Sequence, residues 1–114
     1  MDSQMIFGSP ADKLKRFFAK HGRAGLMLPD GWYGRPFDSL FALARATDIP
    51  DGLEIEIEGG RTLYFRGSLR IVKTQLEKHP AISIEGFQSA SWTPNDGVSE
   101  QRVYGDTGSV LFVS

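Results

Sequence analysis

Residues 51–66 read Asp51-Gly-Leu-Glu-Ile-Glu-Ile-Glu-Gly-Gly-Arg-Thr-Leu-Tyr-Phe-Arg66, and this stretch decides the fold. From Leu53 to Glu58, apolar and acidic side chains alternate without a break, which is typical of a strand with one buried and one solvated face. The glycine pair that follows is a turn signal, and a second alternating run comes after it. The stretch therefore predicts an antiparallel β-hairpin.

The length of the turn fixes the register of this hairpin. A two-residue turn at Gly59 and Gly60 would place the apolar residues of the second strand on the same face as the glutamates. A three-residue loop, 58–60, instead puts five apolar side chains on one face, where burial is worth roughly 1.5–3 kcal/mol each. We therefore expect a type I turn closed by a left-handed Gly60. The predicted pairs are Ile57 with Arg61, Glu56 with Thr62, Ile55 with Leu63, Glu54 with Tyr64 and Leu53 with Phe65.

Composition indicates an ordinary folded chain without covalent cross-links. Its 114 residues are enough to bury roughly two-thirds of the unfolded surface, and we expect one domain over residues 1–114. The chain has no cysteine, which excludes disulfides, thiolate nucleophiles and cysteine-based zinc sites. Residues 1–7 lack the basic start and long apolar core of a signal peptide, and no segment approaches the ~20 apolar residues of a membrane span. We therefore expect a soluble, cytoplasmic protein that does not bind membranes.

Charge is balanced overall but unevenly distributed. Thirteen basic and fourteen acidic residues leave a net charge of −1, so no overall field favours nucleic acid or a membrane. The charged residues of the range 12–23 are all basic apart from Asp12, whereas residues 48–58 contain five acids and no base. We expect a positive end and a negative sheet face. The basic residues that could contact nucleic-acid phosphates are Lys13, Lys15, Arg16, Lys20 and Arg23.

One helix and several strands are expected around the hairpin. Ser9 can cap a helix that starts at Pro10, and Gly22 ends it. Residues 25–29 predict a short strand and residues 30–36 a loop. Residues 38–47 fit either a helix or a strand, and a strand is favoured because it continues the meander.

The second half of the chain predicts further strands. Residues 68–73 form a short strand candidate, residues 78–80 interrupt the pattern, and residues 81–93 predict one long strand with a bulge at Gly86. The last run, residues 110–113, is apolar on both faces and should lie inside the sheet. Together these elements predict an α+β fold: an N-terminal α-helix packed on a strongly bent, mainly antiparallel β-meander sheet of about six to eight strands, or a small barrel.

The sequence contains no recognised catalytic or metal-binding motif. It lacks a G-x-S-x-G elbow, an H-E-x-x-H motif, a P-loop and a G-x-G-x-x-G fingerprint, and we expect no cofactor. His21 and His79 belong to different elements and cannot form a metal site alone. Glu54 and Glu56 lie about 7 Å apart along one strand face. A general-acid pair needs one desolvated carboxyl, so an ordinary solvated face is favoured.

Two surfaces are candidates for binding. The first is the loop that contains Asp30, Trp32, Tyr33 and Arg35, in which rings and charges lie between glycines. Alternatively, Trp32 or Tyr33 folds back to close the sheet. The second is the acidic strand face of Glu54, Glu56 and Glu58, which could meet a basic partner or prevent unwanted strand pairing. Trp92 is either an exposed contact or a core residue.

The sequence leaves three functional hypotheses open. The first is a small non-catalytic protein-interaction module, such as an inhibitor or immunity-type binding protein, that uses the acidic face or the Trp32 loop. The second is a small-ligand or nucleic-acid binding domain that uses Trp32, Tyr33 and Arg35. The third is an enzyme that works with carboxylates and arginine alone. The missing catalytic motifs favour the first.

Overall fold

The computed structural model describes residues 8–114. Over this range one helix precedes ten strands, and every strand pair is antiparallel. The elements are α1 (Pro10–His21), β1 (Arg23–Leu28), β2 (Gly31–Tyr33), β3 (Phe41–Ile49), β4 (Gly52–Ile57), β5 (Arg61–Arg66), β6 (Arg70–Leu76), β7 (His79–Glu85), β8 (Ser89–Thr93), β9 (Arg102–Tyr104) and β10 (Val110–Val113). This is the predicted α+β fold, with more strands than expected.

The helix α1 begins and ends at its sequence signals. The Oγ of Ser9 accepts the backbone N–H of Asp12 at 3.2 Å, and the Asp12 carboxylate accepts the Ser9 N–H at 3.4 Å. These two bonds form a capping box. Gly22 ends the helix with a φ of 84°. The carboxylate of Asp48, on β3, accepts the N–H of Ala11 at 3.1 Å, so the start of the helix is also tied to the sheet.

The hairpin of β4 and β5 has the predicted register. The observed pairs are Ile57 with Arg61, Glu56 with Thr62, Ile55 with Leu63, Glu54 with Tyr64 and Leu53 with Phe65. The five apolar side chains on the inner face are at most 2% exposed. The turn differs from the predicted type I, because Gly59 as well as Gly60 has a positive φ, 87° and 74°.

Residues 38–47 contribute to a strand, as favoured. β3 follows β2 in the chain and pairs with β4, so β3, β4 and β5 form the expected meander. A bulge lies between Leu43 and Arg45. Beside it, the Glu58 N–H donates to the Ala42 carbonyl at 2.9 Å, and the Glu58 carboxylate accepts the Ala42 N–H at 2.9 Å. Glu58 therefore keeps the backbone satisfied where the ladder is disrupted.

The strands of the sheet are interrupted at residues 67–69 and 86–88, where they change their neighbours. The strand order is β6-β7-β10-β1-β3-β4-β5-β8-β9, and β2 pairs with β1 outside this order. The edge strands β6 and β9 do not pair with each other, so the sheet does not close into the barrel that was the alternative prediction. The β5–β8 and β6–β7 ladders continue one register, because the residue numbers of every pair add up to the same value in both ladders. Residues 62–93 are therefore one long hairpin that folds over, and its two halves lie at opposite ends of the strand order.

This bend corrects the prediction of one continuous strand over residues 81–93. β7 ends at Glu85 and β8 begins at Ser89. The interruption lies at Gly86, where it was expected, and Gly86 has a φ of 82°. The local pattern is the same on both sides of the bend, and the strand changes its neighbour there from β6 to β5.

Two segments predicted to be irregular contain strand residues. β2 (Gly31–Tyr33) forms inside the predicted loop 30–36, because the chain turns back on itself and pairs with β1. β7 begins at His79 and includes Pro80, because the two residues before it make the turn with positive φ angles of 48° and 72°.

The core lies on the concave side of the sheet, and α1 covers part of it. The helix contributes Leu14, Phe17 and Phe18, which are at most 8% exposed. Phe18 packs edge-on against Phe112 of β10, with ring centroids 5.2 Å apart. β10 lies between β7 and β1, inside the sheet as predicted. Trp92 is fully buried and belongs to the core.

Candidate functional site

The predicted binding loop is divided by β2 between two faces of the sheet. Neighbouring side chains of a strand point to opposite faces, and β2 pairs Tyr33 with Leu26 and Trp32 with Met27. Leu26 is fully buried, so Tyr33 points toward the core and Trp32 toward the outer face. The two rings therefore do not contribute to one common surface.

Trp32 belongs to a small aromatic cluster on the outer face. Its ring centroid lies 5.0 Å from that of Phe37, and Phe37 stacks on His79 at 4.5 Å. Gly25 leaves room for the indole, because a Cβ at this position would lie 3.3 Å from Cζ3 of Trp32. We call Trp32, Phe37 and His79 the outer aromatic cluster.

A closed loop holds Phe37 in this cluster. Phe37 has a φ of 61°, which is rare for a bulky residue and costs about 1–3 kcal/mol. The Arg35 carbonyl accepts the N–H groups of Asp38 and Ser39 at 3.2 and 3.1 Å, and the Ser39 Oγ accepts the Arg35 N–H at 2.9 Å. These bonds offset the strain. The Arg35 side chain is 82% exposed and pairs with Asp38 at 3.5 Å.

The cluster continues into a row of side chains that crosses the outer face. The row is formed by directly opposed residues of five strands, in the order Trp32, Met27, Leu111, Ser83 and Val72. Four of the five are apolar, and Val72 at the edge is 37% exposed. We call this set the outer row. The sequence analysis does not find it, because its members come from five separate segments and meet only through the register.

On the inner side, Tyr33 lies between Trp92 and Arg61. Its ring centroid is 4.9 Å from that of Trp92, and its Oη accepts a hydrogen bond from Arg61 Nε at 3.0 Å. The Arg61 guanidinium lies over the rings of Tyr33 and Phe41, 5.5 and 5.0 Å from their centroids. Its Nη1 donates to the backbone carbonyl of Glu58 at 2.7 Å.

Two polar groups at this junction lack their usual partner. Trp92 is fully buried, and its Nε1–H has no acceptor in the described part of the chain. Arg61 is half-buried and has no carboxylate partner within residues 8–114. A buried polar group without a partner, such as the Trp92 N–H, costs about 1–3 kcal/mol and is unusual enough to mark a candidate site.

Asp30, the first residue of the predicted loop, makes an internal contact. Its carboxylate accepts Nη1–H of Arg102 at 3.2 Å and Oη–H of Tyr104 at 2.9 Å, which ties the β1–β2 turn to β9. Burial raises the pKa of the Tyr104 hydroxyl. The hydrogen bond with Tyr104 raises the pKa of Arg102. Both groups therefore keep the protons that they donate to Asp30 at neutral pH.

The acidic strand face is partly neutralised by arginines from other strands. Arg45 pairs with Glu56 at 3.4 Å, and Arg23 pairs with Glu58 at 3.3 Å. Glu54 is exposed and has no ion pair among residues 8–114. The negative face expected from residues 48–58 is therefore weaker than its local composition indicates, because the compensating cations are distant in sequence.

The basic side chains of residues 12–23 lie on α1 and at the start of β1. Lys15, Arg16, Lys20 and Arg23 are exposed, and Lys13 is half-buried. A groove of about 420 Å³ opens between α1 and β3, and its lining includes Lys15 and Arg45 beside Phe18 and Leu43.

Neither the described side chains nor comparison with known proteins identifies a metal site, a membrane-spanning helix or a family. Within residues 8–114, no three His, Cys, Asp or Glu side chains are grouped closely enough to hold a metal ion. The helix of the described range is too short and too polar to cross a bilayer. No protein-family model, curated protein or solved structure matches the chain. Function must therefore be inferred from the surfaces that meet at β2.

Proposed function

We propose that this protein is a small interaction module that binds another protein through the outer row and the outer aromatic cluster. The observation that carries the proposal is the outward position of Trp32 beside Met27, on the face opposite the core. Tryptophan is enriched among the residues that dominate binding energy. In the outer row Trp32, Met27 and Leu111 are half-buried, Val72 is exposed and Ser83 is buried. Contiguous apolar surface of this kind marks interaction sites on soluble proteins.

The ring of Trp32 is held in a fixed conformation, as is favourable for a residue that binds a partner. A side chain that binds a partner loses less entropy when its conformation is already fixed. The ring of Trp32 is fixed by Phe37 on one side and by the strand backbone at Gly25 below. The backbone hydrogen bonds of Arg35 hold Phe37 beside Trp32 in spite of the positive φ of Phe37.

An inhibitor or immunity-type protein would act in this manner, because covering a surface of the target requires no catalytic group. The alternative ligand site of Trp32, Tyr33 and Arg35 is less favoured. Trp32 and Tyr33 point to opposite faces, and Arg35 is paired with Asp38.

The test is a titration with matched surface variants. Immobilised wild-type chain captures the partner from a cell extract, and the purified partner is then titrated against each variant. Trp32→Ala and Val72→Glu should each weaken binding roughly 10–100-fold. Val103→Glu is the control, because Val103 is 68% exposed on β9, outside the outer row.

The proposal fails if Trp32→Ala and Val72→Glu bind the partner as tightly as Val103→Glu. A loss confined to the double variant Glu54→Lys, Glu56→Lys would instead place the contact on the acidic strand face. Circular dichroism of each variant confirms that it is folded before its affinity is compared.

A further inference from the structure

We propose that Arg61 is an anion-recognition residue that binds a carboxylate, supplied by a free carboxylic acid or by an Asp or Glu side chain of a partner protein. Arg61 lies on the core side of β2, away from the outer row. Its role in binding an anion therefore does not depend on the proposed function.

Arg61 differs in its partners from six other arginines of the described range. Six other arginines each have a carboxylate within 3.5 Å: Arg23, Arg35, Arg45, Arg66, Arg70 and Arg102. Arg61 instead donates to two neutral oxygens, the Tyr33 hydroxyl and the Glu58 carbonyl. The nearby carboxylate of Glu58 is engaged by Arg23 and by the N–H of Ala42. The positive charge of Arg61 therefore has no counter-ion among residues 8–114.

The guanidinium keeps donors for a ligand. Of its five N–H groups, two are used in these bonds, by Nε and Nη1. The remaining three, which include both on Nη2, have no acceptor within the described range. A guanidinium presents paired donors that match the two oxygens of a carboxylate. The free donors thus fit this class of anion.

The side chain is also held in place before any ligand binds. The rings of Tyr33 and Phe41 lie against the guanidinium at 5.5 and 5.0 Å, and its two hydrogen bonds fix its plane. Little rotamer entropy is left to lose on binding. Partial burial lowers the local dielectric constant, which strengthens a charge-assisted bond.

The experiment follows the Arg61 Nε resonance of ¹⁵N-labelled protein during titration with sodium acetate, with sodium chloride at equal ionic strength as the reference. We expect a saturable shift with a Kd on the order of 1–10 mM. The backbone amide resonances of residues 58–62 follow binding in both the wild type and Arg61→Lys, and this variant should bind acetate at least about fivefold more weakly, because an ammonium lacks the paired donors. Arg35→Gln, which removes an exposed arginine of the loop between β2 and β3, should leave acetate binding unchanged.

Further probes separate the sources of the carboxylate. A blocked tripeptide of glutamates that binds more tightly than acetate indicates a protein side chain, and tighter binding of small dicarboxylic acids indicates a free acid. Trp32→Ala should not affect acetate binding, which keeps this test separate from that of the proposed function. Three results would overturn the assignment: no saturable shift at Arg61, the same shift with chloride, or tighter binding of inorganic phosphate than of any carboxylate.

Discussion

The hydroxyl of Tyr33 positions the guanidinium of Arg61, while the ring of the same residue packs on Trp92. One side chain thus joins the β4–β5 hairpin to β2, although these segments are distant in sequence. The bond is made between a charged donor and a half-buried acceptor, so its loss should be measurable. Because the ring and the hydroxyl have separate partners, they can be tested separately.

Tyr33→Phe should lower the free energy of unfolding by about 1 kcal/mol, since it removes the acceptor of Arg61 Nε and keeps the ring. Urea denaturation measures the change. The control is Tyr64→Phe, because Tyr64 lies half-buried on the outer strand face. Equal effects of the two substitutions would show that the Tyr33 hydroxyl has no special role.

Asp96 is a second residue whose environment makes a specific prediction. The backbone N–H of Ser99, that of Val98 and the Ser99 hydroxyl donate to its carboxylate and lower its pKa to about 2. Because the folded pKa lies below the unfolded value, Asp96 stabilises the folded state above pH ~4, and this contribution is lost as the pH falls toward 2.

Carboxyl NMR titration should therefore show Asp96 ionising near pH 2. In acid unfolding, Asp96→Asn should reduce the loss of stability between about pH 4 and pH 2. An Asp96 carboxyl that titrates near its ordinary value would contradict the observed loop geometry.

The β-hairpins explain why much of the fold can be predicted and why part cannot. Register in β4–β5 follows from local alternation, because a shift by one residue would expose Leu63 and Phe65. The start of α1 follows from Ser9 and Pro10 for the same local reason. The sequence shows the interruption at Gly86. It does not show that the strand changes its neighbour there, because the pattern is identical on either side.

The candidate site is less predictable, for a related reason. The sequence places Trp32 and Tyr33 in one binding loop, but their separation requires a strand where the sequence indicates a loop. Arg61 is identified only as the partner of Ile57 in the hairpin. Its lack of a carboxylate depends on the contacts of other arginines, and some of these contacts, such as Arg45 with Glu56 and Arg102 with Asp30, join distant segments.

The first position of β4 requires glycine, Gly52, on steric grounds. A Cβ at Gly52 would overlap the backbone carbonyl oxygen of Phe65. Gly52→Ala should therefore destabilise the protein by about 1–3 kcal/mol. The control is Gly105→Ala, since no atom lies within 4 Å of a Cβ there. Equal melting temperatures of the two variants would contradict the close approach of β4 to β5.

Lys73 protects the free edge of strand β6 from pairing with another chain. This lysine is directly opposite Ile82, on the core face of the sheet, yet is exposed. A lysine that faces inward on an edge strand opposes pairing with a second chain.

Lys73→Val should therefore promote self-association, seen as a sedimentation coefficient that rises with concentration more steeply than that of the wild type. Lys15→Val makes the same change on α1, which has no free strand edge, and should not associate. Association of both variants would indicate general loss of solubility instead.

Across the whole molecule, the folded-over hairpin of residues 62–93 accounts for the two faces of the site. It closes the core on the concave side, where Tyr33 and Arg61 meet. It also leaves the outer face of β2, β1, β10, β7 and β6 without a covering helix, since α1 packs on the core side. Binding of a protein partner on this outer face is the central claim.

Hydrogen–deuterium exchange of the protein alone and in complex with its captured partner tests this claim most directly. Residues 34–40, which support Trp32, and the exposed edge strand β6 frame the outer row from its two ends. We predict that amide exchange in both segments slows when the partner binds, while exchange in α1 and in β4 stays unchanged. Slowing confined to α1 or to β4 would contradict the account.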